Sequence, residues 1–467
     1  GGAAGPRRAA RRARAAQRGG AHPPAAGALA VALLLAAAAL ALAWHALGPR
    51  HPAPPAPGSP PSPGAPSGPS APPAPGTAEP ADGDAAPGAP EREREAGPGA
   101  GAGAGAGSPA APRVEVVADG LEVPWDLAFD RQGRLFFTER PGRIGLIDGD
   151  RVLRLATLAD TAATGEGGLL GLALHPRFPE EPYLYVYQTY RGAGGVVNRV
   201  LRFRFDPGGT GGGAGEGSGT PRLRDRRVIF DGIPGSAIHD GGQLEFGPDG
   251  KLYVTTGDAR EAGRAQDPRT LHGKILRLNP DGSVPPDNPL GPGNPVYSYG
   301  HRNPEGLAFQ PGTGALFAVE HGPDAWDELN RIQAGGNYGW PQVTGPGHGA
   351  GDRFVPPLRA YNPIIAPAGA DFYRGPIAGW DGSLFFGTLG FSPDSAGRHL
   401  HRVRLSPDGR RVLEEEVLFK GRFGRIRAVK AGPDGCLYFG TSNRDGRGEP
   451  GPRDDRILRA CPAGRGG

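Results

Sequence analysis

Several short segments of this sequence carry side chains able to do chemistry. Ser236–Leu244 (SAIHDGGQL) sets His239 in a turn directly ahead of an apolar strand. An imidazole changes charge near physiological pH and can take a proton from a hydroxyl, although a lone loop histidine is more often structural. Arg425 and Arg427 in GRIRAV are two apart, so on a strand both project from one face. Such a pair can clamp a carboxylate with forked donors. The plainer reading is a solvated edge shared with Arg422 and Lys430. Glu320–Asn330 (EHGPDAWDELN) concentrates carboxylates about a Gly-Pro turn; taken alone it reads as an acidic surface loop. Thr441–Gly446 (TSNRDG) looks like the start of a calcium loop, but it has no acid at the first position and Pro452 at the twelfth. It is rejected on those grounds.

Side chains so far apart in the chain need a scaffold to bring them together. From Arg113 onward, short runs of β-branched and aromatic residues alternate with Gly, Pro, Asp and Asn, the signature of strands and hairpins. A looser unit recurs: an apolar strand, a Pro-Asp-Gly-like turn and a second strand. It appears as Pro124–Glu139, Leu169–Gln188, Gln243–Gly257, Glu305–Glu320, less cleanly as Asp371–Gly387, and as Ile426–Gly440. Candidate third strands follow several of them, at Arg199–Phe205, Lys274–Leu278, His399–Leu405 and Arg456–Ala460. Six such units predict an all-β, six-bladed propeller, because radial repetition protects strand edges; a two-sheet sandwich is the alternative. The strand near Arg113–Ala118 is expected to close the ring onto the last blade. Cys436 and Cys461 flank the last hairpin. If they face each other, Phe439 pairs with Leu458, and on an exported domain the two would be oxidised to a disulfide.

The N-terminal quarter is of another kind. Gly 82 and Pro 54 in 467 residues is a share at which disordered tracts are expected. Residues 1–26 form a basic tail. Residues 27–47 are a continuous apolar run without formal charge, long enough for a membrane anchor or, if cleaved, the core of a signal peptide. Residues 48–112 read as a disordered Pro/Ala/Gly linker, and 113–462 as the propeller. The expectation is an apolar N-terminal helix, then linker, then an exported domain that is tethered to the cell membrane, or secreted if the run is cleaved. Seven arginines and no acid fall within residues 1–50, so the net charge of +4 leaves the remainder mildly acidic. No basic face of a folded domain follows from that, and nucleic acid is discounted as a partner. Two cysteines exclude a disulfide scaffold, a zinc-ribbon array and iron–sulfur ligation.

Taken in order, GEGGLLGLALHP (165–176), SAIHDGGQL, GKILRLNPDGSVPPDNP (273–289), GHRNPEGL (300–307), EHGPDAWDELN and GNYGWP (336–341) resemble the soluble quinoprotein glucose/sorbosone dehydrogenases, including the aldose sugar dehydrogenases, from about Val123 to Leu458. The resemblance implies a six-bladed propeller that binds pyrroloquinoline quinone and calcium and oxidises the anomeric carbon of an aldose to a lactone. It implies His239 as the base. It implies cofactor contacts at Glu166, Arg302, Asn303, Arg425 and Arg427, and a calcium held by the carbonyls of Gly322 and Pro323, with Asp327, Glu328 and Tyr338 completing or supporting the metal region.

The sequence departs from the glucose enzymes of that family at four points. No lysine lies in the sequence near Gly390, where one contacts the quinone; no acid stands near Ser442; Ile238 precedes His239 where an acid would support the base; and Glu166 replaces a glutamine. These place the chain closer to the broad-specificity aldose sugar dehydrogenases. A non-catalytic extracellular propeller that binds a glycan or a protein is the alternative, and a calcium-dependent lactonase a weaker one. Neither the sugar nor the electron acceptor is named by the sequence.

Overall fold

The computed structural model describes residues 111–208, 219–347 and 353–463. The basic tail, the apolar run and all but the last two residues of the linker lie outside the described residues. The chain enters through β1 (Arg113–Ala118) and then builds six four-stranded antiparallel sheets. Blade 1 is β2 (Pro124–Phe129), β3 (Leu135–Glu139), β4 (Arg143–Asp148) and β5 (Arg151–Thr157). Blade 2 is β6 (Leu169–Leu174), β7 (Tyr183–Gly192), β8 (Gly195–Asp206) and β9 (Arg222–Pro234). Blade 3 is β10 (Gly241–Phe246), β11 (Leu252–Thr256), β12 (Lys274–Leu278) and β13 (Val296–Tyr299). Blade 4 is β14 (Pro304–Phe309), β15 (Leu316–Glu320), β16 (Asp327–Ile332) and β17 (Arg359–Tyr361). Blade 5 is β18 (Pro367–Phe372), β19 (Leu384–Thr388), β20 (Leu400–Leu405) and β21 (Val412–Leu418). Blade 6 is β22 (Ile426–Ala431), β23 (Leu437–Thr441) and β24 (Ile457–Cys461), completed by β1. The all-β, six-bladed propeller expected from the repeats is the observed fold.

Turn chemistry explains why the hairpins recur. In blade 3 the Gly247 amide donates to the Lys251 carbonyl, the Lys251 amide to Asp249 Oδ1, and Gly250 takes φ +71°. Blade 6 repeats this at Gly432, Asp434 and Gly435, and blade 1 at Asp130 and Gly133. An aspartate that satisfies its own turn, followed by a glycine in the left-handed region, closes each of these hairpins.

Packing is between blades. Phe136 of blade 1 lies in one apolar cluster with Leu184 of blade 2, Tyr187 with Leu244 of blade 3, Phe385 of blade 5 with Phe439 of blade 6, and Phe137 of blade 1 with Tyr438 of blade 6. Each blade therefore buries its faces mainly against its neighbours, with Trp125 of blade 1 also reaching the cluster shared by blades 2 and 3, and closure of the ring completes the last cluster. Closure is made by β1 on β24, with Val116 opposite Leu458, and the Cys436–Cys461 disulfide ties β24 to the start of β23 within the same blade. Phe439 does pair with Leu458. Near the axis, Asp126 of blade 1 accepts from the Leu172 amide of blade 2 (2.8 Å) and from Gln243 of blade 3 (2.7 Å), tying three blades together.

Two differences from the sequence reading have physical causes. The fifth unit starts at Pro367, four residues before the expected Asp371, because its first residues (PAGA) are too small to read as strand. Asp327 and Glu328 lie in β16 and not in a loop, since alternation is hidden where both strand faces are buried.

Every inner strand starts, and every second strand ends, at the same rim of the ring. That rim carries the site.

Candidate active site

His239 lies two residues before β10 and Asp258 two residues after β11. Gly241 pairs with Thr256 in that hairpin, so the same register carried outward sets residue 239 opposite residue 258. The side chains meet: His239 Nδ1 lies 2.7 Å from Asp258 Oδ1. Asp258 also accepts from the Arg260 amide (2.8 Å) and from Trp340 Nε1 (2.9 Å). Burial works against its charge, but the bonds from His239, Arg260 and Trp340 hold its carboxyl below the usual aspartate value. An ionised Asp258 keeps the proton on Nδ1 and leaves Nε2 as an acceptor. His239 itself takes a left-handed backbone, φ +65°. That conformation is held by its amide, which donates to Glu166 Oε2 (2.8 Å), and by its carbonyl, which accepts from the Ala259 amide (3.2 Å). Asp258 was not singled out in the sequence; its signal is the register count across the hairpin.

Arg302 and Asn303 lead into β14. The Arg302 amide donates to Glu320 Oε2 (2.9 Å), its carbonyl accepts from the Asp258 amide (2.8 Å), and its guanidinium lies 5.4 Å from the centre of the Trp340 ring. Asn303 accepts from the Gly241 amide (3.0 Å) and donates to Glu305 (3.1 Å). Arg425 and Arg427 are both buried, at 2% and 6% exposure, which removes the solvated-edge reading. Arg427 pairs with Glu305 (2.8 Å) and Arg425 with Asp445 (2.8 Å).

These contacts close into a circuit around the axis. It runs from the His239 amide to Glu166, to Arg447 (2.7 Å), and through the Arg447 amide to Asp445 (3.0 Å). From Asp445 it passes by Ser442 (2.8 Å) to Arg427 (3.3 Å), then through Glu305 and Asn303 to the Gly241 amide, two residues from where it began. The imidazole and the guanidiniums thus share one rim. Arg140, which follows β3 and binds the Gly165 carbonyl, adds a further cation. Arg140, Arg302 and Arg425 are all pushed below the usual arginine value by burial; neighbouring Arg427 and Arg447 press in the same direction on Arg140 and Arg425. They remain charged. Arg140 Nε and Arg302 Nε are buried without a hydrogen-bond partner among the described residues.

The Gly322–Trp326 turn is tight: the Ala325 and Trp326 carbonyls crowd the position a Gly322 side chain would take. No described residue donates to the Gly322 or Pro323 carbonyl. Asp327 spends both oxygens on backbone amides, Gly322 at 2.8 Å and Ile365 and Ala366 at 2.7 Å. The Tyr338 hydroxyl donates to the Arg331 carbonyl (2.7 Å) and accepts from the Gln333 amide (2.8 Å). Glu328 and Glu320 are bridged by Asn330 Nδ2, at 3.1 and 2.7 Å. Burial first, and then the charge of Glu320, pushes the Glu328 carboxyl up to about 8.

The departures noted in the sequence look different in three dimensions. An acid does stand at Ser442: it is Asp445, three residues on. The acid beside His239 is Asp258 and not residue 238. Lys420 reaches the Gly390 loop from another connection, its ammonium on the carbonyls of Ser395, Ala396 and Gly397 (2.5–2.6 Å). Arg398, in the same loop and 6% exposed, packs beneath Gly390.

With this geometry in place, the likeness to known proteins is specific. The sequence pattern described as glucose/sorbosone dehydrogenase matches residues 121–458. The aldose sugar dehydrogenase YliI of Escherichia coli is 32% identical over 362 residues, covering 73% of this chain and 92% of that one. A putative oxidoreductase (glucose dehydrogenase) of Thermus thermophilus superposes with a TM-score of 0.64 at 47% identity, covering 74% of this chain and 99% of that one. The pyrroloquinoline quinone-bound aldose sugar dehydrogenase of Streptomyces coelicolor does so with a TM-score of 0.63 at 38% identity, covering 75% and 99%. A propeller whose rim brings His239 and its arginines together, matched over nearly all its described length, belongs to the glucose/sorbosone dehydrogenase family.

Proposed function

We propose that this protein oxidises the anomeric carbon of aldose sugars to lactones, with pyrroloquinoline quinone and calcium as cofactors. The observation that carries the reading is one rim on which a His–Asp dyad meets the buried guanidiniums of Arg425 and Arg427 and the half-buried ones of Arg140 and Arg302, whose Nε atoms have no partner among the described residues. The residues fit both groups. Buried guanidiniums held below their ordinary value are suited to a flat polycarboxylate, which would supply the missing anions and accept their free N–H groups. Arg302, Asn303, Arg425 and Arg427 would hold it, beside Glu166. A turn rich in unbonded carbonyls, next to two carboxylates that share one site, suits a hard divalent cation. Gly322 and Pro323 would bind it through their carbonyls, and a bound cation would draw the nearby Glu328 carboxyl down into its charged form. Any share from Asp327 or Tyr338 would come from the backbone, their side-chain oxygens being engaged.

When bound, the quinone supplies a hydride acceptor and the metal polarises it as a Lewis acid. The protein supplies the rest. His239 Nε2 takes the proton of the anomeric hydroxyl while hydride leaves the same carbon, so the C–O bond becomes the lactone carbonyl. Asp258 holds the ring in the required tautomer and stabilises the imidazolium that forms. Glu305 and Asp445 fix the guanidiniums of Arg427 and Arg425, so that binding does not have to order them.

Export, with the chain tethered to the membrane or released, is part of the same proposal and is supported by the disulfide. Strand β1 starts at Arg113, on the face opposite the site, so attachment there leaves the site accessible. The test is turnover: purified protein given calcium, the quinone and an aldose should reduce an artificial acceptor, and His239→Ala should abolish this. Lactone hydrolysis without quinone, or glycan binding without turnover, would replace the proposal.

A further inference from the structure

Glu166 has a place in this site that a glutamine could not fill. Its amide donates to the Ala237 carbonyl (2.9 Å), and its Oε2 accepts from the His239 amide (2.8 Å). The blade 2 loop thus grips the histidine loop at two points. Gly165, φ +64°, allows the approach: a side chain there would strike the Ala237 carbonyl. The second carboxylate oxygen is taken by Arg447 Nη1 (2.7 Å), from the β23–β24 loop of blade 6. Arg447 is held in turn: its amide donates to Asp445 (3.0 Å) and its carbonyl faces Arg398 (3.5 Å). The Glu166 carboxyl lies below the usual value. Burial opposes the charge, but the His239 amide and the charges of His321 and Arg447 outweigh it.

Glu166 therefore meets two donors, one on each oxygen. An amide side chain has one acceptor and one donor end. Whichever way it turned, its NH2 would face either the His239 amide or the Arg447 guanidinium, a donor against a donor. The left-handed backbone of His239 costs on the order of 1 kcal/mol or more for a residue with a side chain, and the bond from its amide to Glu166 offsets part of that cost.

We infer that Glu166 and Arg447 form a matched pair that positions the base, with Arg447 of blade 6 fixing, through Glu166 of blade 2, the backbone of His239 in blade 3. Glu166 is a positioning residue. This rests on the proposed role of His239, but its first readout does not.

The first measurement is hydrogen exchange at the His239 amide in protein without cofactor. Glu166→Ala should lower protection about tenfold or more, as expected when a local hydrogen bond is removed. Glu166→Gln alone should lower it too, and Glu166→Gln with Arg447→Ala should restore most of it, because the amide oxygen is then free to accept from His239. The second measurement is kinetic. Displacing a base by an ångström costs up to about a hundredfold, so Glu166→Ala should cut kcat, measured at saturating quinone, by roughly 30-fold. The double variant should turn over faster than Glu166→Gln alone, an inverted effect that simple loss of packing does not produce. Unchanged protection in Glu166→Ala, or a double variant no better than Glu166→Gln in either readout, overturns the inference. If exchange follows the expected pattern while wild type shows no turnover, the proposed reaction fails and the positioning pair stands.

Discussion

Asp258 stands opposite His239 across the β10–β11 hairpin, and the two side chains meet at 2.7 Å. One strand pairing thus sets the two side chains opposite each other, and Glu166 of blade 2 and Trp340 from beyond blade 3 then hold them there. Asp258→Asn keeps the shape but loses the charge that stabilises the imidazolium. It should lower kcat by about a hundredfold or more while quinone affinity stays within a factor of about three, checked by steady-state rates and an absorbance titration.

His239→Ala separates chemistry from binding. Turnover should fall to background, and the quinone should still bind, since the guanidiniums are held by Glu305 and Asp445 and not by the imidazole. Loss of binding with loss of turnover would place His239 in the cradle instead.

Burial pushes the carboxyl of Asp126 up to about 7 from an ordinary 3.8. Between those values the folded chain binds more protons than the unfolded one, so the ionisation of Asp126 lowers stability as pH rises from about 4 to about 7. Asp126→Asn removes that dependence. Unfolding midpoints in denaturant should fall less over this interval for Asp126→Asn than for wild type; a variant with an equal or steeper fall would contradict the assignment.

The Cys436–Cys461 bridge closes a 25-residue separation across the last hairpin. A loop of that length corresponds to roughly 3 kcal/mol in the chain-entropy account. Cys436→Ser with Cys461→Ser should lower the unfolding free energy by about that amount, and reducing agent should destabilise wild type but not the variant.

How much of this was legible before the fold was known differs by residue. The hairpins were, because their turns carry their own chemistry: Asp249 and Gly250 specify a turn wherever they occur. The outermost strands β5, β9, β13, β17 and β21 were not; a strand of three residues such as Arg359–Tyr361 has no period to detect. In the site, His239, Arg302 and Asn303 were found through local motifs. Asp258, Asp445 and Arg447 escaped, because nothing near them in sequence says what they face. Asp258 is placed by register, Asp445 by the Arg425 it pairs with, and Arg447 by ring closure, which sets residues 281 apart in contact. The apparent absences at positions 238 and 442 arose from looking for the acids beside their partners in the chain.

The central claim is that the rim of the ring is a cationic seat for a quinone carrying several carboxylates, assisted by a metal. Its most direct test is a titration of the purified protein with pyrroloquinoline quinone, followed by absorbance with and without calcium, for wild type and Arg427→Ala. Wild type should bind saturably at micromolar quinone, more tightly with calcium, and Arg427→Ala should weaken binding about tenfold or more. No binding at micromolar quinone with calcium present, or equal affinity in the variant, would contradict it.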